Sequence, residues 1–169
     1  MSSLKLTLKA WPMIAAATIG LCYLTQTVAK SFGIELPDQA NIEIVKRYFG
    51  WNWNFAILCA QVLVLMPAIE ELVFRFLLWR LPTRALDKNG RRLSVAGVGA
   101  VVSSVLFSAA HYIAQPFPDA AFIALFFFGL AQCWLYKKTS RLWCTILNHG
   151  LFNLTNLVLL FALPESWQA

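Results

Sequence analysis

The sequence predicts an all-α protein, a polytopic transmembrane helix bundle of about five spans with its N-terminus in the cytoplasm. Its 169 residues are 59% hydrophobic and 13% charged, and the mean hydropathy is +0.63. Soluble domains are about 45–50% apolar and about 25% charged, which excludes a soluble enzyme. The apolar residues form long runs rather than short alternating segments, which excludes a β-barrel. The length predicts one domain, residues 1–169.

Five apolar segments are long enough to cross the hydrocarbon core, which takes about 20 residues of helix. They are residues 11–29, 53–79, 94–114, 119–136 and 142–162. The first follows Lys5 and Lys9, and the second ends at Arg80 before a basic stretch. Residues 115–118 separate the third from the fourth, and residues 137–141 separate the fourth from the fifth. Each segment is therefore predicted to be one helix.

The basic residues are divided unequally between the two ends of these helices. Ten of the fourteen fall on the side of the N-terminus: Lys5, Lys9, Arg80, Arg84, Lys88, Arg91, Arg92, Lys137, Lys138 and Arg141. The positive-inside rule places that side in the cytoplasm. Topology thus explains the net charge of +6, and no nucleic-acid partner is expected. The small size and compact loops favour a prokaryotic inner membrane.

Several polar side chains lie inside the predicted spans, where an ionisable group costs at least about 2.5–3.5 kcal/mol. The second span contains Glu70, Glu71 and Arg75, the third ends in His111, and the fifth contains His149 and Asn153. The two histidines are the only ones in the chain. These residues are the candidates for chemistry.

Helical spacing separates the two adjacent glutamates. Glu71 and Arg75 are four residues apart with the acid first, which favours an ion pair on one helix and predicts a supporting role. Glu70 points about 100° away from Glu71 and has no base three or four residues away. It must find a partner on another helix, and an acid without a cation suits a general base.

The fifth span has a polar stripe, in which Thr145, His149, Asn153 and Asn156 recur at helical spacing. Such stripes often supply only hydrogen bonds between helices. His149 and Asn153, however, present N–H donors one turn apart, as an oxyanion hole requires.

Two other classes of site use the same residue types. A carboxylate with two histidines is a ligand set of catalytic zinc, although no HExxH motif is present. A zinc-dependent membrane protease is therefore an alternative, while the main expectation is no metal and no cofactor. Intramembrane acids and histidines also mark ion pathways, but the sequence lacks the inverted repeats of transporters.

The three groups of residues resemble the signature motifs of the CPBP intramembrane protease family, which includes CAAX-processing Ras-converting endopeptidases and bacteriocin-processing or immunity proteins. The motifs are Glu70-Glu71-x-x-x-Arg75, Phe107-x-x-x-His111 and His149-x-x-x-Asn153. The resemblance covers about residues 60–157 and includes three motifs in order on separate spans.

The resemblance implies an intramembrane endopeptidase of the glutamate type. Glu70 with His111 would activate a water molecule, His149 and Asn153 would stabilise the oxyanion, and the neighbouring ion pair would support them. The implied partners are a membrane-tethered or hydrophobic peptide substrate and the lipid bilayer. Because some small members of this family are immunity or scaffold proteins, a non-enzymatic role is the other alternative. The substrate and the oligomeric state are left open.

The sequence departs from the family in length and in spacing. It has fewer spans than the larger members, and the interval from Glu70 to His111 is longer than expected. At a rise of about 1.5 Å per residue, Glu70 lies roughly 15 Å from Arg80, whereas His111 lies roughly 25 Å beyond Ser94. His111 is therefore expected nearer the outer face than Glu70, unless the third helix extends into the cytoplasm or tilts.

Overall fold

A computed structural model of the chain describes residues 2–34, 36, 45–50, 52–86, 92–113 and 121–162, and every regular element in these residues is helical. There are five long helices: α1 is Ser3–Ser31, α2 comprises the continuous segments Trp53–Ala60, Gln61–Leu65, Met66–Glu70, Glu71–Arg80 and Leu81–Leu86, α3 is Arg92–Ala110, α4 is Ala121–Thr139 and α5 is Leu142–Ala162. The predicted all-α fold class is confirmed.

Four stretches of these helices are long and apolar enough to cross a membrane: Ser3–Ser31, Trp53–Ala85, Ala96–Ile113 and Leu142–Ala162. They identify an integral membrane protein. The fourth predicted span coincides with α4, which is not among the four because Gln132 and the terminal Lys137 and Lys138 make it more polar. The count of five spans and the cytoplasmic N-terminus stay predictions.

The ends of the helices follow from local sequence. Ser2 and Asn52 cap α1 and α2, each accepting a hydrogen bond from a backbone N–H of the first turn. The helix α4 stops where Ser140 adopts a positive φ of 54°. The Ser140 N–H donates to Tyr136 O at 2.7 Å, and α5 begins two residues later. This short turn makes α4 and α5 antiparallel neighbours.

Small residues and hydroxyl groups allow α3 to pack closely between α2 and α4. Ser103 Oγ donates to Phe74 O on α2 at 2.6 Å, and Ser108 Oγ donates to Phe122 O on α4 at 2.7 Å. A Cβ atom at Gly129 of α4 would lie 2.9 Å from Ser104 Cβ, so that contact requires glycine. Hydroxyl bonds of this kind are typical of helix packing in membranes.

The connection between α2 and α3 is shorter than the sequence predicted. Residues 80–93 were expected to form a loop, but α2 continues to Leu86 and α3 begins at Arg92. The Trp79 indole N–H donates to Ala96 O at 3.0 Å, which sets the first turns of α3 beside the end of α2. The interval from Glu70 to His111 is longer than expected, and extension of both helices takes up much of that additional length.

An aromatic core joins α1 to the helices that carry the polar motifs. Ala15 of α1 packs with the buried rings of Phe107, Phe128 and Phe152. The Trp11 indole N–H also donates to Thr155 Oγ1 of α5 at 3.1 Å. The first helix thus closes one side of the bundle.

Candidate active site

The imidazole of His149 on α5 lies between the two adjacent glutamates of α2. Its Nδ1 is 3.0 Å from Glu71 Oε1, and its Nε2 is 3.6 Å from Glu70 Oε2. The first distance is a hydrogen bond, whereas the second is longer than one and leaves Glu70 a looser neighbour. The partner that Glu70 was expected to find on another helix is therefore His149.

Glu71 is held on its other side by Arg75. Its Oε2 lies 3.2 Å from Arg75 Nε, and both side chains are completely buried. The predicted i, i+4 ion pair is present, and it extends to a second helix through His149. Because a carboxylate paired with an arginine only accepts hydrogen bonds, His149 Nδ1 carries the proton of the Glu71 contact. This arrangement fixes the orientation of the imidazole and leaves Nε2 facing Glu70.

Glu70 differs from Glu71 in exposure. Its side chain is 20% exposed, while that of Glu71 is fully buried. The Glu70 side chain is therefore partly accessible from outside the protein, whereas that of Glu71 is not. The structure supports the distinction that helical spacing drew between these two acids.

The backbone of α2 around the two glutamates is irregular. Gln61–Leu65 and Glu71–Arg80 are π-helical, and they flank the short α-helical segment Met66–Glu70. A proline inside a helix lacks an N–H and disturbs the hydrogen bonds of the preceding turn, and Pro67 lies two residues after the end of the first π segment. A wider turn also reduces the angle between successive side chains, which helps Glu70 and Glu71 to face the same imidazole. Pro67 was the signal that sequence analysis left unused.

His111 contacts Phe107, the first residue of its motif. The residue follows α3 in a single 3₁₀ turn, and its Nδ1 lies 2.9 Å from Phe107 O. Since a carbonyl only accepts, Nδ1 carries the proton, and Nε2 is an acceptor in the neutral ring. The centroid of the Phe107 ring is 4.8 Å from that of His111 and 5.9 Å from that of His149. The two histidines therefore flank one buried ring.

That ring also packs against the ion pair. Arg75 Cζ lies 4.6 Å from the centre of Phe107, which is a cation–π distance. Phe128 of α4 approaches His149 with ring centroids 5.0 Å apart. Aromatic side chains thus exclude solvent from the inner side of His149.

Asn153 was expected to present its amide beside His149. In the structure its Nδ2 donates to Val62 O of the first π segment at 2.8 Å. A carboxamide nitrogen has two hydrogens, so one is left for another acceptor. One turn earlier, Gly150 contacts α2 so closely that a Cβ atom would overlap the Leu63 carbonyl oxygen. Asn153 is therefore also a contact between α5 and α2.

Two further amides are buried in the bundle, and of these Asn148 is one of the polar residues that the sequence places inside the fifth span, whereas Gln132 was missed. Gln132 of α4 and Asn148 of α5 are completely buried, and Gln132 Nε2 lies 3.5 Å from Thr145 O. A neutral amide is cheaper to place in a membrane helix than a charge, so a buried amide is a weaker sign of function than an acid or a histidine. The signal that could have identified Gln132 is its polarity within a span that is otherwise apolar.

The zinc alternative gains no support from the geometry. Within the part of the chain that the structure describes, no three His, Cys, Asp or Glu side chains come together in a way that could hold a metal ion. His149 uses Nδ1 for Glu71, and His111 uses Nδ1 for Phe107 O. The described contacts thus assign these nitrogens to protein partners.

Comparison with known families identifies the chain. Residues 52–155, more than half of its length, match the family described as type II CAAX prenyl endopeptidase Rce1-like. Neither a comparison with curated proteins nor one with solved structures gives a match. The matched range contains all three motifs, and the resemblance noted in the sequence is confirmed. The chain belongs to the type II CAAX prenyl endopeptidase Rce1-like family of proteases.

Proposed function

We propose that this membrane protein is an intramembrane endopeptidase that hydrolyses a peptide bond through a water molecule activated by Glu70 and His111. The observation that carries the proposal is the partly exposed Glu70 carboxylate, 3.6 Å from an imidazole that Glu71 holds in place. The family supplies the reaction class. The substrate is a membrane-tethered or hydrophobic peptide, and a prokaryotic inner membrane is the proposed location.

The reaction proceeds through a tetrahedral intermediate. Glu70 accepts a proton from water, and the resulting hydroxide attacks the carbonyl carbon of the scissile bond. His111, whose Nδ1 donates to Phe107 O, offers Nε2 as an acceptor for the same water. The oxyanion receives hydrogen bonds from the second amide hydrogen of Asn153 and from His149 Nε2 when that atom carries a proton. Glu70 then returns its proton to the leaving amine, and the peptide bond breaks.

The test is the Glu70→Gln substitution, which removes the base and keeps the shape of the side chain. In cells that carry this variant, we expect substrate peptides to accumulate uncut, and these peptides identify the substrate. The same substitution at Glu165, beyond α5 in the sequence, serves as the control. Full cleavage by a folded Glu70→Gln protein would refute the mechanism. An unchanged cellular phenotype would favour a scaffold or immunity role.

A further inference from the structure

One end of the bundle carries five basic side chains from two separate parts of the sequence. Two lie near the C-terminal end of α2 and three lie at the turn between α4 and α5: Arg80, Arg84, Lys137, Lys138 and Arg141. All are exposed except Arg80, which is half-buried. We refer to these five residues as the basic patch.

An aromatic contact brings the two parts of the basic patch together. Trp79 and Tyr136 are buried, and their ring centroids lie 6.0 Å apart. Arg80 directly follows Trp79, and Lys137 directly follows Tyr136. Leu142, the first residue of α5, packs against the same cluster. The bases of α2 and of the α4–α5 turn therefore belong to one local surface and are not spread evenly around the end of the bundle.

The patch has little negative charge to balance it. The acids in the described part of the chain are Glu70 and Glu71, and both belong to the site around His149. The sequence between α2 and α3 adds Lys88 and Arg91 but only one acid, Asp87. An external anion is thus the natural partner of this surface.

The surface beside the patch is apolar. Leu77, Leu78 and Leu81 of α2 are 42–44% exposed, and Trp134 and Trp143 on the α4–α5 side are 44% and 43% exposed. A partner that covers both regions carries a negative head and a hydrocarbon tail. Lys and Arg at the ends of membrane helices lie at the level of lipid headgroups, and groups of four to eight of them attract anionic lipids.

We infer that the basic patch binds the phosphate headgroup of an anionic phospholipid whose acyl chains lie along the exposed leucines and tryptophans. Arginine and lysine side chains pair well with phosphate oxygens. Inorganic phosphate shares the headgroup chemistry but has no chain to cover the apolar surface. The positive-inside rule accounts only for the side of the membrane on which these bases lie, whereas a bound lipid would occupy one face of one end of the bundle.

The test measures lipid retention and is independent of proteolysis. The full chain, purified in detergent, is exposed to an equimolar mixture of phosphatidylglycerol and phosphatidylcholine, washed, and analysed by mass spectrometry for bound lipid. We expect enrichment of phosphatidylglycerol, reduced at least about tenfold by the triple variant Lys137→Gln, Lys138→Gln, Arg141→Gln. The matched control removes three bases elsewhere: Lys30→Gln, Lys46→Gln, Arg47→Gln. Thermal unfolding checks that both variants fold.

Three outcomes overturn the proposal. No preference for phosphatidylglycerol means that the patch does not select anionic lipid. Equal losses in the two triple variants mean that only total charge matters. Displacement of the lipid by millimolar inorganic phosphate means that the site takes a soluble anion. Loss confined to the patch variant and resistant to phosphate establishes the lipid site.

Discussion

Glu71 and His149 are 78 residues apart in the chain and are joined by a hydrogen bond of 3.0 Å between Oε1 and Nδ1. The bond explains why two adjacent glutamates have different parts in one site. Glu71 pairs with Arg75 and orients the imidazole, while Glu70 faces the other ring nitrogen and stays partly accessible. The site therefore combines an immobilised histidine, His149, with a partly accessible acid, Glu70.

The buried ion pair predicts a non-additive pattern of stability. Arg75→Met leaves Glu71 as a buried carboxylate without its arginine, and breaking a buried ion pair in this way costs about 3–5 kcal/mol in the free energy of unfolding. The double variant Glu71→Gln, Arg75→Met removes both charges and should recover part of that loss. Thermal unfolding in detergent measures the two single variants and the double variant. A loss of stability in the double variant equal to the sum of the two single losses would contradict the prediction.

The α5 stripe predicts different effects of neighbouring amides on cleavage. His149→Ala and Asn153→Ala should each lower kcat/KM by a factor on the order of 10²–10³, the scale of one lost oxyanion donor. Asn156→Ala is the matched control, because Asn156 Nδ2 donates within its own helix to Phe152 O at 3.0 Å. We expect little change in the control, and equal losses at Asn153 and Asn156 would indicate a packing role.

The contact at Gly150 predicts sensitivity to a single methyl group. Gly150→Ala would force α5 away from the Leu63 carbonyl, at a cost of about 1–3 kcal/mol in stability, and would displace His149 from Glu70. Gly97→Ala in α3 is the control, since in the described part of the chain no atom outside the adjoining backbone of its own helix lies within 4 Å of the new Cβ. That variant should be neutral or slightly stabilising. Wild-type cleavage by Gly150→Ala would show that the helices adjust freely.

The position of the Phe107 ring predicts that one substitution lowers both stability and activity. Phe107→Leu removes the cation–π contact with Arg75 and the ring contacts with both histidines, which should lower stability by about 1–3 kcal/mol and reduce kcat. Phe127→Leu, at a side chain that is 52% exposed, should change neither property. Unfolding temperature and initial rates check the pair.

Chelation separates the glutamate mechanism from a zinc-dependent one. Cleavage should persist after prolonged dialysis against a strong chelator, and added zinc should not raise it, because in the proposed mechanism Glu70 and His111 activate the water without a Lewis acid. Metal content of the dialysed protein is measured in parallel. Activity that disappears with the metal and returns with zinc would contradict this prediction.

Much of the site was predictable from spacing. The rule that residues four apart share a helix face identified the Glu71–Arg75 pair and separated it from Glu70, and the structure shows that pair. The depth of His111 was harder to predict, because it depends on how far α2 and α3 extend beyond the expected spans. In the structure, the ring of Phe107 lies between those of His111 and His149, a contact that counting residues along α3 does not predict.

The fold class, the membrane environment and the family were predictable, because they follow from hydropathy, helical periodicity and motifs that are local along the chain. The bond from His149 to Glu71, the contact of Asn153 with Val62, and the contact of Trp79 with Tyr136 that joins the two parts of the basic patch are visible in the folded protein alone. These contacts connect residues far apart in sequence. They depend on helix register and on π-helical turns, which the packing of several helices sets together.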